Sequence, residues 1–163
     1  MTAGMKRVLL AGFDGAQNAA KVLLDECTGD FEKLCLVNDF DVCAAQMERA
    51  VEAGYDFILV LGQKPGVKSL YIETMGRGLA DCYETVFDYS GLGNALKVAG
   101  YAVRISQNAG NYLCNHVYYH GLRAAKERTQ ILFLHVPYLK NMPAPTRIAA
   151  VLSAFLQGLK THT

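Results

Sequence analysis

Phe57-Ile-Leu-Val-Leu61 is apolar on both alternations, so a strand built from it has no face to give to water and must be covered from both sides. Gln130-Ile-Leu-Phe-Leu-His-Val-Pro137 reads the same way, with a histidine near its downstream end. Shorter runs at Arg7–Gly12 and Lys33–Val37 alternate with helical patterns over Ala16–Cys27 and Val42–Ala53. Strands alternating with helices predict a three-layer α/β/α fold around a mixed, mainly parallel twisted sheet. At 163 residues, 52% of them apolar, the chain is expected to form one α/β domain over 1–163.

Helix punctuation is clear at several points. Asp39 or Asp41 is placed to cap the helix that ends at Gly54, with an inward stripe of Val42, Ala45, Met47, Ala50 and Val51. A helix from about Ser90 to Val98 is closed by Gly100, and Pro143-Ala-Pro145 precedes a last amphipathic helix through Ile148, Val151, Leu152, Phe155 and Leu159. Ser69–Thr74 alternates, which suggests an edge or partly exposed strand, and Met75–Tyr89 reads as loop or short extended pieces.

Chemistry concentrates at Asn108-Ala-Gly-Asn-Tyr-Leu-Cys-Asn-His-Val-Tyr-Tyr-His120. The run Tyr101–Ile105, then Asn-Ala-Gly, then a 3.6-residue period reads as strand, tight loop and helix. Cys114 falls in the first helical turn, where unpaired N–H groups and the macrodipole favour a thiolate. Most free cysteines are small buried hydrophobes, but His135, at the end of a buried strand, makes a Cys/His couple sterically reasonable. His116 and His120 form an i, i+4 pair without an evident third ligand, so no metal site is expected. Tyr112, Tyr118 and Tyr119 read as packing residues, and Cys27, Cys35, Cys43 and Cys82 as core or semi-buried thiols.

Other classes are disfavoured. A net charge of +1 with no basic patch or charge block argues against a nucleic-acid or membrane partner. With five cysteines in no paired or zinc-like spacing, no signal-like or spanning stretch and a mean hydropathy of +0.13, a cytoplasmic protein is expected. Gly12 and Gly15 form only a fragment of a phosphate-binding loop, which gives a dinucleotide site little weight and no expected cofactor. Asn18 either caps the following helix or lines that loop.

The Asn108–Tyr119 run and Phe133-Leu-His-Val-Pro-Tyr138 together resemble the cysteine and histidine motifs of pyroglutamyl peptidase I. Gly62-Gln63 ahead of Glu73 is similar to that family's loop and glutamate, and Leu9-Ala-Gly-Phe-Asp14 to its opening strand and turn. The resemblance runs along most of the chain and is sharp from Asn108 to Tyr138. It implies a cysteine exopeptidase with Cys114 as nucleophile, His135 as general base and Glu73 as the group that orients the imidazole. It further implies an N-terminal 5-oxoprolyl substrate held by Phe13, the Gln63 loop and backbone near Leu113, and homo-oligomers.

Departures from the family pattern are equally legible. Gly15-Ala-Gln-Asn18 stands where the family has Pro-Phe-Gly, so a second pocket phenylalanine is missing. The arginine expected before the glutamate is replaced by Val67 or displaced to Lys68, and the stretch from Glu73 to Cys114 is shortened. The reacting groups are kept while the specificity loops are trimmed. Besides the peptidase, this leaves an amidohydrolase acting on a small lactam or N-acyl compound, or a binding module that retains the three residues.

Overall fold

The computed structural model describes residues 4–161. Its elements, in chain order, are β1 (Val8–Phe13), α1 (Ala19–Glu26), β2 (Glu32–Leu36), α2 (Phe40–Glu52), β3 (Phe57–Lys64), β4 (Leu70–Glu73), β5 (Met75–Arg77), β6 (Cys82–Glu84), α3 (Ser90–Val98), β7 (Val103–Ser106), α4 (Leu113–Ala125), β8 (Gln130–Pro137) and α5 (Pro145–Thr161), with a 3₁₀ turn at Leu139–Asn141. Six strands form one sheet in the order β2-β1-β3-β8-β4-β7, and β5 with β6 forms a separate hairpin. The strands from β2 to β8 are mutually parallel, whereas β4 runs antiparallel to β8 and parallel to β7. The α/β/α architecture and mixed sheet agree with the sequence pattern.

Alternation along the buried strands divides the core in two. Leu59, Leu61, Leu132, Leu134 and Val136 face α1, α3 and α5. Ile58, Val60, Ile131 and Phe133 face α2 and α4. By the same two-residue period, Gly62 and His135 project to the α4 side. The β3/β8 ladder is the longest in the sheet, pairing Phe57 with Gln130 through to Lys64 with Pro137, and it carries the site at its downstream end.

Five local readings need correction. Ser69–Thr74 is no edge: β4 lies between β8 and β7 and is buried at Leu70, Ile72 and Glu73. On α2 the inward residues are Cys43, Ala44, Met47, Ala50 and Val51, while Val42 is exposed. Its cap is Asp39, whose carboxylate accepts from the Val42 N–H at 2.9 Å, and a helix starting at Phe40 turns Val42 outward. Cys82 is exposed on the hairpin, and Tyr112 is exposed, its ring edge-on to Phe40. The first helix starts at Ala19 because Asn18 caps it, its side-chain oxygen accepting from Ala20 N–H at 2.9 Å, a bond worth about 1 kcal/mol.

Candidate active site

The loop from Gln107 to Tyr112 delivers α4 with its first turn facing the end of β3. Tyr112 occupies the cap position without a side-chain hydrogen bond. The N–H groups of Leu113, Cys114 and Asn115 therefore have no protein acceptor among the described residues. These are the open donors that a helix start presents to an anion. Leu113 is buried beneath them.

Cys114 rests directly on β3. A Cβ placed on Gly62 would lie 2.7 Å from Cys114 Sγ and 2.7 Å from the Phe133 ring, closer than carbon can approach either. Glycine is thus what allows the sulfur to reach the sheet, and its position after Val60-Leu61 was the available signal. Gly62→Ala should cut turnover about 100-fold and destabilise the fold by about 1–3 kcal/mol. Kinetics and denaturant titration of that variant measure both effects.

His135 is paired across the sheet with Gly62 on one side and Tyr71 on the other. Its Nδ1 lies 2.7 Å from Glu73 Oε2, and both side chains are almost wholly buried. Since a carboxylate only accepts, Nδ1 carries the proton and Nε2 is left free. Glu73 does not share the rim of the parallel strands. Because β4 runs the other way, Glu73 pairs with Phe133 and reaches up diagonally to the imidazole from one layer deeper. A glutamate at a strand end is usually solvated, whereas this one is 0% exposed and its Oε1 has no hydrogen-bond partner among the described residues.

Tyr118, fully buried, fixes the backbone that carries this carboxylate by donating its hydroxyl proton to the Glu73 main-chain carbonyl at 2.8 Å. It is one turn beyond Cys114 on the same helix face, a spacing that could have flagged it. The next residue after the sulfur, Asn115, accepts from Arg77 N–H at 2.9 Å and donates to the Arg77 carbonyl at 2.8 Å, tying α4 to β5. Neither tyrosine nor asparagine stood out in the sequence as a site residue.

Cys114 and His135 open into one cavity of about 500 Å³, together with Phe13, Gln63, Leu113 and Tyr138. The Cys114 thiol makes no hydrogen bond among the described residues. Burial, followed by the nearby Glu73 charge, pushes its pKa up to about 12. Desolvation thus opposes the thiolate that the helix start favours.

A raised acid pKa has a consequence for stability. The folded chain keeps the Cys114 proton to higher pH than the unfolded chain, whose thiol loses it near 9.0. The contribution of the neutral thiol is complete below pH 9 and is lost as pH rises toward 12. Denaturant midpoints should fall more steeply between pH 8.5 and 10.5 for the wild type than for Cys114→Ala.

Gln63 also meets the cavity, but its Oε1 already accepts from Ala19 N–H at 3.0 Å, so it offers Nε2 as a donor. His116 and His120 stand side by side with ring centroids 4.4 Å apart, away from the sulfur's cavity. No group of three or more His, Cys, Asp or Glu could hold a metal ion among the described residues. No helix of the described residues is long and apolar enough to cross a membrane.

The family model for pyroglutamyl peptidase matches residues 90–157, a span that contains both Cys114 and His135. The chain is 23% identical to the pyrrolidone-carboxylate peptidase of Bacillus cereus strain Q1 over 194 residues, covering 96% of this chain and 90% of that protein. The chain is thus similar to pyroglutamyl peptidases along most of its length. The Staphylococcus saprophyticus pyrrolidone-carboxylate peptidase is 29% identical over 171 residues, covering 82% of this chain and 79% of the relative. Among solved structures, pyroglutamyl peptidase I from Bacillus amyloliquefaciens superposes with a TM-score of 0.82 at 19% identity, covering 97% and 96% of the two chains. The Thermus thermophilus pyrrolidone carboxyl peptidase gives 0.79 at 23% identity, covering 92% and 98%. The 194-residue alignment exceeds this chain's 163 residues, so the pyroglutamyl peptidase from Bacillus cereus carries segments without a counterpart here.

Proposed function

We propose that this protein is a cysteine exopeptidase that removes an N-terminal 5-oxoprolyl residue from peptides, with Cys114, His135 and Glu73 as its reacting and orienting groups. The observation that carries the reading is the buried His135–Glu73 pair, which leaves Nε2 free in the cavity that also receives Cys114. The curated relatives, named as pyrrolidone-carboxylate peptidases, support the substrate class.

In this reading Cys114 starts as the thiol, since burial pushes its pKa up. As Sγ attacks the scissile carbonyl, the thiol proton passes to His135 Nε2 and the new C–S bond puts a negative charge on the carbonyl oxygen. The open N–H groups of Leu113, Cys114 and Asn115 receive that oxyanion. Glu73, buried and short of donors, offsets the positive charge now on the ring. Collapse of the intermediate breaks the C–N bond, and His135 returns the proton to the departing amine. Water, deprotonated by the same imidazole, then cleaves the thioester and restores the thiol.

The lactam ring lies on Phe13, with Gln63 Nε2 donating to its carbonyl. Incubation with a chromogenic 5-oxoprolyl amide tests the proposal. Release of the chromophore is expected, and a folded protein that releases none overturns it.

A further inference from the structure

Among the described residues, the wall of the sulfur's cavity has one lysine, Lys64, with no arginine and no carboxylate. Asn18, Asn38, Gln63 and Asn111 add neutral polar groups. A lining with one cation and no opposing anion is complementary to a negatively charged ligand.

Position tells which part of the ligand would carry the charge. Lys64 follows Gly62 by two residues and projects from the same face of β3, about 7 Å further along the strand. Its Nζ stands 5.1 Å from the centre of the Tyr71 ring, and Tyr71 is the cross-strand partner of His135. The ammonium therefore lies on the imidazole's side of the sulfur. Its charge is also felt at the sulfur, where it opposes the upward shift of the Cys114 pKa. In amide cleavage the leaving amine must approach the imidazole that protonates it, so the leaving residue occupies this side.

We infer that Lys64 makes the site selective for 5-oxoprolyl dipeptides, binding the free α-carboxylate of the leaving amino acid. This rests on the peptidase reading and adds the substrate's length to it. The carboxyl carbon of a leaving amino acid is two bonds from the amine nitrogen, so an amine at His135 brings its carboxylate toward the ammonium. In a longer peptide the same position holds an uncharged amide, and the charge-assisted hydrogen bond is lost.

The test compares 5-oxoprolyl-alanine with 5-oxoprolyl-alanine amide. The wild type should hydrolyse the acid with a kcat/KM about tenfold above that of the amide, mainly through KM, and raising the salt concentration should shrink the ratio. In Lys64→Met the ratio should fall to about one, and in Lys64→Arg it should persist, with circular dichroism reporting an intact fold in both. Equal hydrolysis of the two by the wild type, or a preference that survives in Lys64→Met, overturns the inference. A preference for 5-oxoprolyl-aspartate α-amide, with its side-chain carboxylate free, over 5-oxoprolyl-alanine also overturns it, since the ammonium would then read a side chain. Calorimetry on Cys114→Ala separates the two levels of argument. Acid bound about tenfold tighter than amide, with no turnover by the wild type, supports the carboxylate site and removes the peptidase; turnover of both without preference removes the carboxylate site alone.

Discussion

Cys114→Ala should leave no turnover above background, a loss of at least about 10⁴-fold in kcat, because the proposed acylation has no other thiol among the described residues that line the cavity. Cys82 is exposed on the hairpin and Cys27 and Cys35 lie elsewhere in the fold, while Cys43, the neighbour of Cys114 in the α2–α4 core, is buried with its thiol donating to the Phe40 carbonyl. Alanine removes one polarizable atom from a partly buried position beside Gly62 and Phe133, so the variant should fold. The measurement is steady-state hydrolysis of a 5-oxoprolyl amide at high enzyme concentration, together with mass spectrometry for an acyl adduct on Cys114 in the wild type. Turnover in the variant within tenfold of wild type would remove Cys114 from the mechanism.

Glu73→Gln is the second large effect. The substitution keeps shape but replaces the acceptor-only carboxylate with an amide, whose oxygen still accepts while its charge is gone. The ring charge that forms during attack then loses its counter-ion in a region where the imidazole is only 4% exposed and the side chain of residue 73 is fully buried. A fall in kcat of about 10³–10⁴-fold at neutral pH is expected, with KM changed far less. Tyr118 would still hold the backbone of residue 73 through its carbonyl, which argues for a correctly placed amide rather than a collapsed one. A loss confined to KM, or one below tenfold, would assign Glu73 a packing role only.

Much of this site was legible in the sequence because local punctuation fixes it. Asn108-Ala-Gly110 forces the loop, and Gly110 takes φ 93°. The helix phase then puts Cys114 in the first turn, and the apolar run before His135 makes its strand unmistakable. What was hidden depends on strand order and direction. Nothing local in Ser69–Thr74 says that β4 inserts beside β8 in the opposite sense, and that insertion is what sinks Glu73 a layer deep. The same non-local cause hid the ionisation of Cys114: the helix start argues for a thiolate, but the layers packed around the sulfur argue against one. Lys64 escaped notice because its meaning lies in what the cavity lacks, which only the assembled wall reveals.

The side-chain amide of Asn115 acts toward β5 as a neighbouring strand would, returning both backbone bonds of Arg77. Six residues of ladder cannot stand alone in water, so this borrowed partner anchors the hairpin to the residue adjoining the sulfur. Tyr119, one turn further along α4, donates its hydroxyl to Asp81 between the two short strands, so the hairpin is fastened to the reactive helix at two successive turns, one of them the turn that carries the sulfur.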